Sequence, residues 1–351
     1  MTRVVSIAAL ACAGMAAASA PAGAQDTPFV AQSGSRPLVH ADGSYIFNFL
    51  QYGLVFEGQI APRVIVLDTV GRSTRRVLED GAASGWQASI TPMVRLRMFR
   101  EDSSPVRTPS YMPKVTVQHA RFANLSRVKP EDDEDAYSRG PIRMWLFDVV
   151  PFGHHSNGQN NCLFLPRAEP PGGPCVDPAP GDPATVNLLD GSFSTNYAEL
   201  LVHYGRLRLD SKGAPETEYA TRSEWRIGAG IQINPVGYLG GSIESALAER
   251  YGTTRVIVEG MAAWRPEQRF GRLEIAGRLE YLGDVPDVPS FIGRLELAAL
   301  PAKWGGAGVF VRYYGGQDYY NLRFTTSIHR LIVGGTFQRD TFLSFAMRSM
   351  N

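Results

Sequence analysis

The stretch FGRLEIAGRLEY, residues 270–281, decides the fold because its side chains alternate between two chemical classes. One face is apolar and the other carries arginine and glutamate: Leu273, Ile275, Leu279 and Tyr281 against Arg272, Glu274, Arg278 and Glu280. A period of two residues is that of a β-strand. A polar face with both signs of charge at close spacing is typical of a barrel lumen crossed by ion pairs. The stretch therefore predicts one strand of a transmembrane β-barrel rather than of a soluble sandwich.

The same alternation recurs along the chain in about twelve runs of roughly ten residues. The runs lie near residues 43–52, 60–69, 86–99, 113–123, 141–154, 196–210, 220–234, 252–264, 269–281, 289–300, 306–315 and 326–337. A membrane barrel formed by one chain normally has an even number of antiparallel strands and begins on the periplasmic side. We therefore expect an all-β protein, an antiparallel transmembrane β-barrel of about twelve strands, whose fifth strand ends at the outer surface.

The first residues have the pattern of a secretory signal peptide. Arg3 precedes an apolar, alanine-rich segment, and Ala22-Gly23-Ala24 forms a small-x-small cleavage site. We expect residues 1–24 to be the signal and residues 25–337 to form the barrel, whose last strand ends at the aromatic Phe337. Residues 338–351 would then be a C-terminal extension.

Composition gives no support to two other classes of protein, nucleic-acid-binding proteins and helical membrane proteins. The chain has 35 basic and 34 acidic residues and a formal net charge of +1, which gives no indication of nucleic-acid binding. After the predicted signal, no apolar run approaches the ~18 residues that a transmembrane helix needs. What is left is a β-protein, either soluble or in a membrane.

The predicted connection between the fifth and sixth strands, residues 157–195, is rich in proline and glycine and contains Cys162 and Cys175. In an exported protein, such a close pair favours a loop-stapling disulfide over a metal site. The acidic run Glu131-Asp132-Asp133-Glu134-Asp135 falls in another predicted connection, residues 124–140. We interpret it as a solvated charge cluster rather than a calcium site.

A candidate catalytic pair ends the fifth predicted strand. His154 and Ser156 are two residues apart, so an extended backbone places both side chains on one face, where the imidazole could take the serine proton. His155 points to the other face and is a poorer candidate for the base.

The other even-numbered residues of this strand, from Ile142 to Val150, are mostly apolar. This predicts that the pair faces lipid and not the lumen. Asp148 departs from the pattern, and we expect a bulge near Pro151.

Three stretches together resemble the outer-membrane phospholipase A family, calcium-dependent dimeric lipases of the Gram-negative outer membrane. Residues 154–158 match its His-x-Ser-Asn-Gly block, residues 101–113 resemble its Ser-Ser-Pro-x-Arg…Tyr-x-Pro loop, and residues 311–335 resemble its last two strands. The resemblance implies an outer-membrane phospholipase A1/A2 that hydrolyses acyl esters of glycerophospholipids at the outer leaflet. It also implies calcium as cofactor and a homodimer as the active form.

The resemblance further implies a role for each matching residue. The catalytic residues would be His154 as general base, Ser156 as nucleophile and Asn196 as the group that holds the imidazole, with the backbone N–H of Gly158 stabilising the oxyanion. The calcium ligands would be Ser104, Ser192 and the carbonyl of Gln159. In this chain, forty residues separate Ser156 from Asn196, so the cysteine-containing insert must fold away from the site. Asn160 and Asn161 could also serve as the third catalytic residue, but they lie too near Ser156 for the neighbouring strand.

Two other functions remain open from the sequence. Lipid A deacylases are barrels that also use a His-x-Ser-Asn motif on the lipid-facing wall, with a glutamate as third residue, and Glu199 could take that role. Calcium dependence of phospholipid hydrolysis would separate the two enzymes. The third possibility is a porin-like barrel without catalysis, which would conduct ions and be unaffected by Ser156→Ala.

Overall fold

The computed structural model describes most of the predicted barrel. The described residues are 44–48, 54–69, 81–100, 106–124, 141–165, 175, 185–188, 190–211, 219–235, 237–240, 248, 250–265, 271–283, 285, 290–301, 304 and 307–337. The predicted signal (1–24), the C-terminal extension (338–351), the acidic run and Ser104 lie outside them. No helix among the described residues is long and apolar enough to cross a bilayer.

Twelve strands can be followed within the described residues. The first six are β1 (Ser44–Asn48), β2 (Leu54–Ile60 and Val64–Asp68), β3 (Ala82–Thr91 and Val94–Phe99), β4 (Ser110–Tyr111 and Lys114–Asn124), β5 (Ile142–Ser156) and β6 (Ser194–Ser211). The other six are β7 (Tyr219–Ile233), β8 (Thr254–Trp264), β9 (Arg272–Gly283), β10 (Phe291–Leu300), β11 (Ala307–Gln317) and β12 (Ser327–Phe337). The positions agree with the alternating runs of the sequence.

Every strand pairs in antiparallel fashion with its neighbours in the chain. Pairing of β12 with β1, in which Phe337 lies opposite Ser44, closes the sheet. The predicted antiparallel barrel of about twelve strands is therefore confirmed. We call the end where β5 ends and β6 begins the site end, and the end where β1 begins and β12 ends the terminal end.

The two faces of the wall have the chemistry that the alternation predicted. On β9, Leu279 and Tyr281 are exposed on the outside. On the inside, Arg278 forms ion pairs with Glu199, Glu259 and Glu280 at 3.3, 3.0 and 2.8 Å. An apolar outer wall around a polar interior is the arrangement of transmembrane barrels, because lipid-facing and lumen-facing residues alternate along every strand.

Loops cover the inner side of the wall at the site end. The insert between β5 and β6 contains a short hairpin, in which Phe164–Leu165 pairs with Thr185–Val186. Its apolar side chains join those of the β7–β8 and β11–β12 connections in one buried cluster, formed by Leu163, Phe164, Val186, Phe193, Tyr251, Leu322 and Phe324. His155, on the inner face of β5, contacts Phe193 and Tyr251, so this cluster lies on the inner side of the wall beside the end of β5.

Breaks or register shifts occur at neighbouring positions in four adjacent strands, β2 to β5, and form a line across the wall. Breaks interrupt β2, β3 and β4, and the buried side chains at these breaks, Ala61, Met93 and Met112, pack together. In β5 the same line continues as a register shift against both neighbours, close to Pro151. A bulge adds one residue to a strand and so reverses which side chains face outward.

The bulge corrects the orientation that the sequence predicted for most of β5. The even-numbered residues from Ile142 to Val150 are buried inside the barrel, not turned toward lipid, and the odd-numbered Trp145, Phe147 and Val149 are exposed instead. Beyond Pro151 the pattern reverses, so that His155 is buried while His154 and Ser156 are partly exposed. Asp148 is thus an interior residue, and its carboxylate accepts a hydrogen bond from Gln118 Nε2 at 2.7 Å.

Candidate active site

Pairing of β5 with β6 brings the predicted catalytic residues together. Asn196 lies directly opposite His154, and Ser194 lies opposite Ser156. Opposed residues on antiparallel strands have Cβ atoms about 5 Å apart, close enough for side-chain contact. His154 Nδ1 and Asn196 Oδ1 are 2.6 Å apart, a hydrogen bond between two of the three predicted residues. The forty residues between Ser156 and Asn196 therefore do not keep His154 and Asn196 apart.

The amide of Asn196 is fixed in orientation by backbone carbonyls. Its Nδ2 donates to the carbonyl oxygens of Tyr238, at 2.8 Å, and Leu239, at 3.3 Å. A carbonyl oxygen only accepts, so the amide nitrogen must face this turn and Oδ1 must face the imidazole. Because Oδ1 is an acceptor, Nδ1 of His154 carries the proton, which leaves Nε2 with the lone pair that a general base needs.

The turn that holds Asn196 is a short 3₁₀ segment, Tyr238–Gly240, in the β7–β8 connection. Leu239 has φ +50°, a left-handed conformation that costs a non-glycine residue free energy. Tyr238 Oη donates to the carbonyl oxygen of Pro151 at 2.6 Å. The turn is therefore bound both to the bulge of β5 and to Asn196. It holds the end of β5 that carries His154 and the amide that orients His154 in fixed positions relative to each other.

Ser156 lies on the same outward face as His154, partly exposed, with Tyr111 of β4 opposite it on the other side. Residues two apart on a strand are separated by about 7 Å along the chain. Among the described residues, no hydrogen bond joins the Ser156 hydroxyl to His154 Nε2 or to another side chain. Such contacts often tighten only when substrate is bound.

The segment after Ser156 is held in a tight turn. Asn157 is buried, donates through Nδ2 to the carbonyl of Gly191 at 2.7 Å, and accepts at Oδ1 from the N–H of Phe193 at 3.0 Å. Gly158 follows with φ +66°, and a Cβ there would lie 3.1 Å from the Tyr111 ring. The turn leaves Gly158 exposed beside Ser156.

The predicted calcium ligands are only partly within the described residues. The side chain of Gln159 donates to Thr108 Oγ1 at 2.8 Å, and the backbone N–H of Ser192 donates to the carbonyl of Asn161 at 2.8 Å. Ser104 lies outside the described part of the chain. No group of three or more His, Cys, Asp or Glu side chains that could hold a metal occurs among the residues that the structure describes.

A disulfide and side-chain hydrogen bonds hold together the described parts of the insert, which include residues 161–165, 185–188 and 190. Cys162 and Cys175 form a disulfide with a Cα–Cα distance of 5.2 Å, as their spacing predicted. Asp190 accepts hydrogen bonds from Asn161 Nδ2 at 2.8 Å and from Asn187 Nδ2 at 2.7 Å. Asn161, a second candidate for the third catalytic residue, is thus engaged in the insert and not with His154.

Glu199 and His155 both point into the barrel, away from the outward face that carries His154. Glu199 pairs with Arg278 in the lumen, so it does not contact the His154 imidazole. His155 is 1% exposed on the inner face, with Nδ1 3.0 Å from Tyr251 Oη and its ring against Phe193. Its predicted position on the opposite face is confirmed, and it anchors the end of β5 to the buried cluster at the site end.

Sequence reasoning missed Tyr238 and Leu239. Glycines at 237, 240 and 241 marked a turn in the sequence. Nothing local indicated that its carbonyl oxygens would bind an amide 42 residues earlier in the chain.

No family model matches the chain, and neither does any curated protein. Among the solved structures that are similar to it are three of outer-membrane phospholipases. Outer membrane phospholipase A from Escherichia coli is 10% identical, with a TM-score of 0.43, over 85% of this chain and 93% of that chain. An active-site mutant of it at pH 6.1 is also 10% identical, with a TM-score of 0.43, over 92% of this chain and 96% of that one.

The third is the dimer of the Salmonella typhi outer membrane phospholipase with bound calcium. It is 11% identical, with a TM-score of 0.43, over 89% of this chain and 96% of that chain. All three are structures of proteins named outer membrane phospholipase. Identities and TM-scores this low transfer no residue's role, so the chemistry of this chain rests on its own side chains.

Proposed function

We propose that this chain is an outer-membrane phospholipase that hydrolyses the acyl esters of glycerophospholipids, with Ser156, His154 and Asn196 as catalytic residues. The observation that carries the proposal is the 2.6 Å hydrogen bond between His154 Nδ1 and Asn196 Oδ1 on the outward face of the wall, beside Ser156. A base oriented by a third group and adjacent to a hydroxyl is the arrangement of acyl-transfer hydrolases.

The reaction proceeds in two steps. Ser156 Oγ attacks the ester carbonyl carbon while His154 Nε2 takes the hydroxyl proton, and the same proton then passes to the departing lysophospholipid oxygen. Water, deprotonated by His154, next attacks the acyl-enzyme, releases the fatty acid and restores the serine. The backbone N–H of Gly158 stabilises the oxyanion in both steps, a contribution of about 3 kcal/mol.

Asn196 acts on the base and not on the substrate. Its Oδ1 holds the Nδ1–H tautomer of His154, although a neutral amide stabilises the imidazolium less than a carboxylate would. The carbonyl oxygens of Tyr238 and Leu239 prevent the amide from turning over.

Calcium is part of the proposal through Ser104, Ser192 and the carbonyl of Gln159. Ser192 and Gln159 lie within the described residues, and both offer uncharged oxygen atoms. Such ligands suit a hard cation and not zinc. When bound, calcium supplies positive charge near the developing oxyanion. A homodimer would complete the calcium site and form the grooves for the acyl chains.

The site end is proposed to face the outer leaflet. The longest connection of the barrel, the insert between β5 and β6, is at this end, whereas short connections such as residues 265–271 and 301–306 are at the terminal end. Outer-membrane barrels have short periplasmic turns and longer extracellular loops. Phospholipid reaching the outer leaflet would thus meet Ser156 from the side.

Neither the deacylase nor the pore gains support from the structure. A deacylase would need Glu199 near His154, but Glu199 is paired with Arg278 inside the barrel. A pore is disfavoured by the buried apolar cluster at the site end.

The test is fatty-acid release from phospholipid dispersed in detergent, with calcium and with a chelator, for the parent and Ser156→Ala. We expect release only from the parent and only with calcium. Equal release by both proteins would exclude Ser156 as nucleophile, and ion conductance without hydrolysis would favour the pore.

A further inference from the structure

The outer wall carries a group of arginines far from the candidate active site. Arg121 of β4, Arg143 of β5, and Arg206 and Arg208 of β6 are exposed near the terminal end of three adjacent strands. We call these four residues the arginine patch. Most other outward-facing residues of the same strands are apolar or aromatic, so this concentration of charge on the wall needs an explanation.

Two members of the patch face each other directly. Arg143 is paired in register with Arg206 across the β5–β6 ladder. Arg121 lies opposite Trp145, one diagonal step from Arg143. Like charges directly opposite on neighbouring strands repel, and this lowers the stability of the pair. An anion lying between the guanidinium groups would turn the repulsion into attraction.

No described carboxylate supplies that anion. Among the side chains that the structure describes on the outer faces of β4, β5, β6 and β7, none is acidic, and the glutamates of this part of the barrel, such as Glu199 and Glu224, are paired in the lumen. The arginine patch therefore has no ion-pair partner among the described residues.

The position of the arginine patch along the strands, relative to outward-facing aromatic residues, indicates which ligand it would meet. Trp145, Tyr204 and Trp225 form an outward aromatic row across three strands, with ring centroids 4.8 and 5.8 Å apart. Such rows mark the boundary between hydrocarbon and headgroups. Arg206 lies directly opposite Trp225, and Arg121 lies directly opposite Trp145. Arg208 lies two residues nearer the terminal end than Arg206, so the arginine patch overlaps the terminal side of this aromatic row. This is the level at which phospholipid phosphates lie.

We propose that the arginine patch binds the phosphate groups of anionic phospholipids in the leaflet at the terminal end of the barrel. Guanidinium groups bind phosphate through paired N–H donors, and several in one place favour a lipid of net negative charge over a zwitterionic one. The aromatic row would contact the glycerol and upper acyl chains of the same lipid. Binding is independent of hydrolysis, because the patch and Ser156 lie at opposite ends of β5.

The test is lipid retention by the full-length protein. The purified barrel is incubated in detergent with equal amounts of phosphatidylglycerol and phosphatidylcholine, and the lipids that remain bound are counted by native mass spectrometry. Arg143→Gln/Arg206→Gln is compared with the parent and with Arg100→Gln, an exposed arginine just beyond β3 at the site end. Heat-modifiable migration on gels shows that each variant is folded.

We expect the parent and Arg100→Gln to retain phosphatidylglycerol preferentially, and the double variant to lose that preference roughly tenfold, since charge-assisted contacts are lost. Equal preference in parent and double variant would overturn the proposal. So would loss of the preference in the presence of inorganic phosphate at millimolar concentration, which would indicate a general anion site rather than a lipid site.

One competitor belongs to the chain itself. The acidic run Glu131–Asp135 belongs to the connection between β4 and β5, the strands that carry Arg121 and Arg143, and it lies outside the described residues. If the run were the partner, the parent would show no lipid preference, and neutralising the run to glutamine and asparagine would create one. That outcome would also overturn the proposal.

Discussion

The phenolic O–H of Tyr238 donates to the carbonyl oxygen of Pro151 at 2.6 Å, and this contact attaches the β7–β8 connection to the bulge that turns the end of β5 outward. The same turn accepts the amide N–H groups of Asn196. One short segment thus fixes both the strand that carries His154 and the group that orients its imidazole.

The first prediction concerns this contact. Tyr238→Phe removes one hydrogen bond and keeps the ring, so we expect kcat to fall roughly fivefold, in line with about 1 kcal/mol for a hydrogen bond, with KM nearly unchanged. Steady-state hydrolysis of a short-chain phospholipid measures both constants. Tyr281→Phe, on the exposed outer face of β9, is the control and is expected to match the parent. A Tyr238→Phe enzyme with the parent's kcat would show that the contact does not position the site.

The second prediction concerns Asn196. Asn196→Ala leaves Nδ1 of His154 without its acceptor, and kcat is expected to fall by about 10² or more. Asn196→Asp is not expected to restore it, because a carboxylate would face the carbonyl oxygens of Tyr238 and Leu239, to which the amide nitrogen now donates. Single-turnover rates for the two variants check this. Full activity of Asn196→Asp would mean that the amide donors are unimportant.

The third prediction concerns the glycine before His154. A Cβ at Gly153 would overlap the ring of Tyr197, its partner on β6. Gly153→Ala is therefore expected to lower both the thermal stability of the barrel and its hydrolytic activity. Gly153→Ala/Tyr197→Ala removes the overlap and should recover part of both. If the double variant is no better than the single one, the packing of Tyr197 on Gly153 is not the reason for the glycine.

The fourth prediction concerns the disulfide. Cys162→Ser/Cys175→Ser is expected to lower stability by about 3 kcal/mol, the loop-closure value for a loop of this size. Activity at 25 °C should persist, because Asp190 still joins the start of the insert to its end through hydrogen bonds from Asn161 and Asn187. Thermal unfolding followed by circular dichroism, together with fatty-acid release, tests the two parts. Loss of activity without loss of stability would contradict the expectation that the disulfide stabilises the protein but is not needed for hydrolysis.

Much of the fold could be predicted from the sequence because the alternation of residues 270–281 has one structural solution. Arginine and glutamate are costly in the hydrocarbon region of a bilayer, so in the middle of a strand that half of the residues is expected to face the lumen. The same logic failed on β5, whose terminal half is mostly apolar on both faces, with Arg143 as the outer exception and Asp148 as the inner one. Inside the barrel, its even-numbered residues belong to a buried apolar cluster of Ala120, Phe122, Ile142, Met144, Leu146 and Leu207. Apolarity alone could not distinguish the inside from the outside there.

The outward position of His154 and Ser156 was predicted for a reason that does not hold. The pair faces outward because the register shift near Pro151 reverses the order of the faces, not because Ile142 and Leu146 face lipid. The shift continues a line of breaks in β2, β3 and β4, and this line depends on contacts between residues such as Ala61 and Met112, which are far apart in the chain. Pro151 indicated the bulge in β5, but the sequence around it does not indicate that the bulge continues breaks in three neighbouring strands.

The most direct test of the proposed chemistry is covalent labelling of Ser156 by a fluorophosphonate that carries an alkyl chain. Such a reagent reacts with a serine only when a neighbouring base takes its proton. Mass spectrometry of the digested protein should find the label on Ser156 in the parent and only a trace in His154→Ala. A parent that remains unlabelled, or a His154→Ala protein labelled as fast as the parent, would contradict the account.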